Sequence, residues 1–396
     1  MQFRPDPPPD THRKTERLPS LDGLRAIAIL LVLGGHFQYT AGFPFEKLGF
    51  AFVVLDGELG VRIFFVISGF IITRLLLEEA RTYGSVSLPL FYTRRALRIL
   101  PIYCAYLGVL AIFSAAGRYT DSASSWLGCL TFTRNLIGRG NSATEHFWSL
   151  AVEEQFYLCW PILFFLLRLE RRRPLALIVL VSVSVSAIVI RDLFDADQLF
   201  KGVANCILGA RSLFRYADSI AIGCGGGFIH AAFAGVLARR LTAFWGLVAA
   251  LLLAVEQVYL KVFVAKGSFV LPFGLMSALM PTVQALTVIA LLLCTLSSAN
   301  GPIYSLLNQR LMVRIGVLSY SLYVWHFIFL KSFAPDAWGF SWIYGWAVWW
   351  LPAVALSILS WEFLESPILK LRRAFRRSSK NQTGAVNLLA PRRGRS

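Results

Sequence analysis

An all-α, polytopic integral membrane fold of about ten transmembrane helices, with both termini cytoplasmic, is predicted by three observations. The 396-residue chain is 56% hydrophobic and only 15% charged, and its mean hydropathy of +0.61 is more than a soluble domain can bury. Its apolar residues gather in windows of about 20, the length that crosses a hydrocarbon core of about 30 Å. Its basic residues gather between those windows on one side, the positive-inside pattern.

Taken in order, the first window, 20–40, follows Arg13, Lys14 and Arg17. The Pro-rich start before it (Pro5, Pro7, Pro8, Pro9) makes 1–17 a disordered cytoplasmic segment. The second window, 58–78, is followed by Arg81, Arg94 and Arg95, and the third is 98–117. The fourth, 148–168, closes on Arg171, Arg172 and Arg173; the fifth is 174–191; the sixth, 213–232, is followed by Arg239 and Arg240. Windows at 241–260, 275–297, 311–333 and 343–364 complete a transmembrane domain over 18–367. A basic cytoplasmic tail, 368–396, begins with Arg372, Arg373, Arg376 and Arg377, while the opposite loops hold scattered Lys47, Asp56, Asp195, Asp197 and Asp336. The first apolar run lacks a small-residue cleavage site, so it is expected to stay as a span rather than leave as a signal peptide.

The net charge of +17 belongs to this topology and not to nucleic-acid binding, because the basic residues lie between spans instead of on a polar domain. A multi-pass protein of the cytoplasmic (inner) membrane, surrounded by lipid, is the expectation. Six cysteines occur without CxxC or metal-type spacing, so no metal site and no permanently bound cofactor are expected; a Cys129–Cys206 disulfide across the outer loops stays open.

Ionisable residues inside such windows point to function. Arg25 and His36 share the first window, and eleven residues at about 100° each bring them within about 20° of one face, about 16 Å apart along the axis. That spacing suits one long substrate or a relay. Counting inward from the window ends, His36, Glu153, Asp218 and His326 fall toward the extracytoplasmic half, whereas Arg25, Arg74, Arg95 and Arg98 fall toward the cytoplasmic ends. Arg95 and Arg98, at i and i+3, share a helix face; Arg94 leaves the register of that pair ambiguous. Glu153 and Tyr157, at i and i+4, form one polar face, and Glu153 has an arginine such as Arg62 as its structural alternative. Ser68, in ISGF, lacks the strand-to-helix elbow of a hydrolase nucleophile and reads as a packing position beside Gly69. Gly223, Gly225, Gly226 and Gly227 lack the Lys-Ser/Thr of a phosphate loop and read as a close helix contact. Glu365 and Pro367 read as a structural helix end.

Seven local patterns, in order along the chain, together resemble the acyltransferase-3 family of integral-membrane O-acyltransferases. They are LDGLRAIAILLVLGGHF, GVRIFFVISGFIITRLLL, FYTRRALRILPIY, FWSLAVEEQFYLCWPIL, RYADSIAIG, IGVLSYSLYVWHFIF and WEFLESP. The resemblance implies transfer of an acyl group, usually acetyl, from a cytoplasmic acyl-CoA donor substrate to a hydroxyl of a carbohydrate or other envelope or secreted acceptor. The family's functional arginine and histidine fall on Arg25 and His36, and its paired arginines on Arg95 and Arg98. Many relatives carry an extracytoplasmic esterase-like domain after the tenth span; none follows it in these residues, so a second transfer step is expected to need a separate extracytoplasmic protein.

Permanently charged arginine grips phosphate with two donors, so Arg25, Arg95, Arg98 and Arg74 are the donor-binding candidates, with lipid-headgroup anchoring the alternative for Arg74. An imidazole titrates near working pH, which makes His36 the catalytic base candidate and Glu153 its orienting partner or an acceptor ligand; an acyl-histidine intermediate is equally open. Asp218, His326, Tyr157 and Ser68 are the acceptor-binding or supporting candidates, the aromatic run before His326 matching either sugar stacking or an interfacial belt. A transporter or flippase of a solute or lipid-linked sugar is the rival function, and a lipophilic acceptor such as a macrolide is the rival substrate. The acyl group, the acceptor and the oligomeric state are not written in the sequence.

Overall fold

A computed structural model describes residues 18, 20–37, 40, 43, 55–137, 142–195, 211–259, 273–330 and 348–371. Among them there is no strand. The helices are α1 (Leu21–His36), α2 (Gly57–Tyr83), α3 (Leu88–Ala115), the short α4 (Ala123–Leu130), α5 (Phe147–Leu167), α6 (Arg173–Asp195) and α7 (Leu213–Arg240). They continue as α8 (Ala243–Tyr259), α9 (Phe273–Ser297), α10 (Pro302–Leu307), α11 (Arg310–Trp325), α12 (Trp350–Ser360) and α13 (Ser366–Leu371). A 3₁₀ turn, His326–Phe329, ends α11, and a π-helical turn, Trp361–Glu365, joins α12 to α13.

Each expected window contains a helix. Seven of these, α2, α3, α5, α6, α7, α9 and α11 with its 3₁₀ extension, are long and apolar enough to cross a membrane. The other three, α1, α8 and α12, run for 16, 17 and 11 residues, so ten is an approximate count of spans. The expected N-terminal segment and nearly all of the basic tail lie outside the described residues, as do Lys47, Asp197 and Asp336.

Polar caps start several helices where the first amide groups lack intrahelical partners. The Asp56 carboxylate accepts from the Glu58 amide at 3.0 Å, and Ser212 Oγ accepts from the Arg215 amide at 3.2 Å. Burial then sorts the helices. In its most apolar stretch α2 is 72% buried and α6 only 17%, so α2 is the central post and α6 the periphery, with Leu177, Ile178 and Val181 exposed where hydrocarbon would cover them.

Small residues bring the central helices together, the general device of membrane bundles. A Cβ on Gly223 of α7 would stand 2.2 Å from the Val66 carbonyl oxygen of α2, and one on Gly69 would stand 2.2 Å from the Ile220 carbonyl oxygen. A Cβ on Gly227 would stand 3.1 Å from the Phe70 carbonyl oxygen and one on Gly226 would meet the Ile289 side chain, whereas Gly225 touches little. Close packing by this glycine run is thus what the structure contains. At the start of α1, Gly316 of α11 lies against the Asp22 carbonyl, and at its end Gly35 lies against the Gly57 amide of α2. Hence α1 runs antiparallel to α2 and parallel to α11, which brings the ends of α1 and α11 together. Cys129 is a buried free thiol, and burial raises its pKa; Cys206 lies outside the described residues.

Gly223→Leu should push α2 and α7 apart, because the contact is backbone and cannot yield by a rotamer change. The expected loss is at least about 1–3 kcal/mol, read as a lower midpoint in thermal unfolding of the detergent-purified protein, with Gly225→Ala close to wild type.

Candidate functional site

A cavity enclosing about 790 Å³, its open side included, lies between α1, α2, α3, α5 and α11. Its basic wall comes from two places in the sequence: Arg25 on α1, and Arg95 and Arg98 on α3. The register of the arginine pair follows from Glu79 near the end of α2, which takes Arg94 Nη2 at 2.7 Å. Arg94 thereby ties α3 to α2, while Arg95 and Arg98 line the cavity. The Arg95 guanidinium lies 5.4 Å from the Tyr157 ring centre and 5.7 Å from that of Phe91, both within cation–π range. Arg25 also approaches Asp22, one turn earlier, at 3.5 Å. Three guanidinium groups converging on one space suit a multiply anionic ligand. Arg74, further along α2, is not on this wall.

Deeper in the cavity, three polar side chains interlock. Ser68 Oγ donates to Glu153 Oε1 at 2.8 Å, and the Tyr157 hydroxyl lies 3.0 Å from Ser68 Oγ and 3.3 Å from Glu153 Oε2. Glu153 thus takes Ser68 and Tyr157 as its partners, while Arg62 bonds Glu58 at 3.1 Å and Ser219 at 3.4 Å. The packing position is Gly69; its neighbour Ser68 faces the cavity. Further along, the Tyr323 and Ser149 hydroxyls are hydrogen-bonded to each other on the cavity wall, and Tyr323 donates to the His146 carbonyl at 2.6 Å.

Beyond Tyr323 stand the histidines. The parallel course of α1 and α11 puts His36 at the end of one and His326 just past the end of the other, with His326 Nε2 at 3.1 Å from His36 Nδ1. His326 Nδ1–H donates to the carbonyls of Leu322 and Tyr323 at 3.1 and 2.8 Å. The ring of His146, just before α5, stands edge-on to His326 at 5.4 Å between centres and stacks on Phe327 at 4.6 Å. Its Nε2–H donates to the Val324 carbonyl at 3.2 Å, and its Nδ1 is buried without a hydrogen-bond partner among the described residues. The linker leading to His146 is braced by Arg134, which is 1% exposed and donates to Thr144 and Ser142 at 3.1 and 2.9 Å. In the same linker Tyr119 donates to Asp121 at 2.7 Å, and burial holds its phenol above the ordinary tyrosine range.

The four acid/base candidates sorted by depth therefore do not form one cluster. His36 joins His326, Glu153 joins Ser68 and Tyr157, and Asp218 belongs to a separate pair. Arg191 of α6 donates to Asp218 at 2.9 Å, to Thr282 at 2.6 Å and to the Ala278 carbonyl at 2.9 Å, locking α6, α7 and α9 together. Arg191 and His146 were not among the expected site residues. An arginine closing an apolar window was the available signal for the first; a histidine seven residues before Glu153, two helical turns away, was the signal for the second. Glu365 is buried and accepts from Ser321 in the π-helical turn; the helix does not end there as expected but continues through Pro367 to Leu371. Among the described residues no group of histidine, cysteine, aspartate and glutamate is arranged to hold a metal ion.

A family model described as an acyltransferase domain, of the acyltransferase-3 type, matches residues 18–361. The peptidoglycan O-acetyltransferase OatA of Listeria monocytogenes is 33% identical over 165 residues, 38% of this chain and 25% of that protein. The O-acetyltransferase OatA of Staphylococcus aureus strain NCTC 8325 is 26% identical over 383 residues, 89% of this chain and 57% of that protein. The chain thus spans less than two thirds of the length of either relative. No solved structure matches.

Because Arg191 and Asp218 are 2% and 0% exposed, removing one partner strands a buried charge. Asp218→Ala should cost about 3–5 kcal/mol, and Arg191→Met combined with Asp218→Leu should recover most of it. Thermal unfolding of the two variants measures both values.

Proposed function

The chain belongs to the acyltransferase-3 family, and on that premise we propose a membrane O-acyltransferase that moves acetyl from cytoplasmic acetyl-CoA to a hydroxyl of an envelope or secreted glycan. The observation that carries the reading is a cavity with three arginines on its wall and Glu153, Ser68 and Tyr157 deeper in it, with the histidine pair just past Tyr323 of its lining. The names of the two relatives, both O-acetyltransferases and one of them a peptidoglycan enzyme, support the reaction class and a glycan acceptor.

In this reading Arg25, Arg95 and Arg98 hold the donor phosphates from the cytoplasmic halves of α1 and α3, the α3 pair standing two to three turns inside its helix. The pantetheine arm, extending on the order of 15–20 Å by comparison with several extended residues, carries the thioester along α1, whose eleven residues from Arg25 to His36 rise about 16 Å. His36 removes the proton of the acceptor hydroxyl as its oxygen attacks the thioester carbonyl. The tetrahedral adduct collapses, the C–S bond breaks, and the departing thiolate takes the proton back from His36 to leave as CoA thiol. Glu153, held by Ser68 and Tyr157, offers carboxylate oxygens to hydroxyls of the incoming glycan. Arg74 supplies lipid-headgroup contact on the same side.

Purified protein given isotopically labelled acetyl-CoA and envelope glycans should yield acetylated glycan by mass spectrometry. Persistent failure across hydroxyl acceptors, with folded protein and bound donor, would remove the reading. Arg98→Ala should weaken acetyl-CoA binding by about tenfold or more, the loss of one charge-assisted phosphate contact, and Arg98→Lys should restore it only in part because the bidentate grip is gone. Calorimetric or fluorescence titration decides this. In the same transfer assay His36→Gln should lose on the order of 10²–10⁴-fold in turnover with acetyl-CoA affinity unchanged; near-normal turnover would deny His36 the role of base.

A further inference from the structure

We propose that Phe64 is a specificity-determining residue for the acyl donor: it is the movable side of a neck, closed against Tyr323, that admits unbranched acyl groups to the histidines and holds back α-branched ones. The inference rests on the reading that an acyl thioester travels from the arginines to His36, and it adds which donors complete that path. Both rings line the cavity, and Tyr323 also packs against His326, so the pair marks the histidine end. They stand edge to face, with centres 6.4 Å apart.

That separation is too small for a chain to pass. A hydrocarbon chain needs about 7–8 Å between the atoms on either side of it, two carbon contacts of about 3.5–4.0 Å each. Where one ring presents its edge, the facing atoms are nearer than the two centres. The neck is therefore shut in this conformation, and one ring must move before a thioester reaches His36.

The two sides are not equally free. The Tyr323 hydroxyl donates to the His146 carbonyl at 2.6 Å and is bonded to Ser149, and its ring lies 5.5 Å from that of His146 and 5.8 Å from that of His326. Turning it away breaks two buried hydrogen bonds, which are costly to leave unmade. Phe64 has no polar group and is only partly buried, so it turns without that cost. Its backbone belongs to α2, which backbone contacts at Gly69 and Gly223 hold against α7, so the motion is confined to the side chain. In a helix a phenylalanine takes a χ1 of about 180° or −60°, which makes the opening a jump of fixed size. The arm that follows the acyl group through the neck is an unbranched –CH₂–CH₂–S– chain, and an opening that serves it need be no wider than one chain. An acyl group that branches beside its carbonyl is wider than that.

Transfer assays with two isomeric donors, butyryl-CoA and isobutyryl-CoA, test this beside acetyl-CoA. The isomers carry the same number of acyl carbons, so room around His36 bears on both, whereas width at the neck bears on the branched one. At saturating donor the wild type should turn over butyryl at least about tenfold faster than isobutyryl, the low end of what one misfitting hydrocarbon group costs in a shaped site. Isobutyryl-CoA should still compete with acetyl-CoA for binding at similar affinity, because its phosphates stay at the arginines. Phe64→Ala should bring the butyryl to isobutyryl ratio close to one, with Phe64→Leu in between. Phe64→Trp should slow acetyl transfer while acetyl-CoA affinity holds. A wild-type ratio near one, or a ratio unchanged in folded Phe64→Ala and Phe64→Leu, would overturn the proposal. Absence of acetyl transfer by the wild type would instead remove the reading beneath it, and the inference with it.

Discussion

A polar side chain placed among apolar helices is costly unless another polar group meets it, and this cost organises the bundle. Asp218 is met by Arg191, Glu153 by Ser68 and Tyr157, Glu365 by Ser321, Trp160 by Thr73, and His326 by two carbonyls and His36. Each pairing joins two elements or ends one. Glycine contacts make several of them reachable: α2 and α7 approach to backbone contact at Gly69 and Gly223, and from that central post Ser68 reaches Glu153 on α5. The polar groups are consequently both the stitching of the bundle and the lining of its cavity.

Chemistry is distributed along the cavity and past its end. The arginines of α1 and α3 lie toward one end of the helices, the Glu153 cluster lies deeper, and the histidines lie at the other end. Tyr323 belongs to both of the deeper regions, since it lines the cavity, bonds Ser149, and packs its ring against His146 at 5.5 Å and His326 at 5.8 Å. Anything passing from the arginine end to His36 along this route passes Tyr323 and the neighbouring Phe64 ring. An elongated ligand, anionic at one end and reactive at the other, matches that layout better than a compact solute bound at one midplane site.

The helical, multi-span character of the chain was legible because hydropathy reports burial in lipid directly, and every apolar window holds a helix. Length was less legible: α1, α8 and α12 are shorter than the windows that hold them, and α12 runs on without a break through the π-helical turn into α13. The facing of Arg95 and Arg98 was legible too, because i and i+3 share a helix face whatever the tertiary structure. The partners of the acid/base groups were not. His36 meets His326 across 290 positions, and Glu153 meets Ser68 across 85; depth in a span says nothing about which way a helix is rotated. Arg94 illustrates the same limit, being drawn off by Glu79, fifteen residues earlier.

The central claim of the proposed reading is that arginines and histidines serve different sides of the membrane, the arginine end of the cavity receiving the donor and the histidines past its other end the acceptor. Oriented vesicles test it most directly, because neither acetyl-CoA nor a polysaccharide crosses a bilayer. With labelled acetyl-CoA confined to the face that bears the α2–α3 linker and glycan confined to the opposite face, labelled acetyl esters should accumulate on the glycan, and exchanging the two compartments should stop the transfer. Transfer only when donor and glycan share a face, or only when the donor is on the face opposite the α2–α3 linker, would contradict the account.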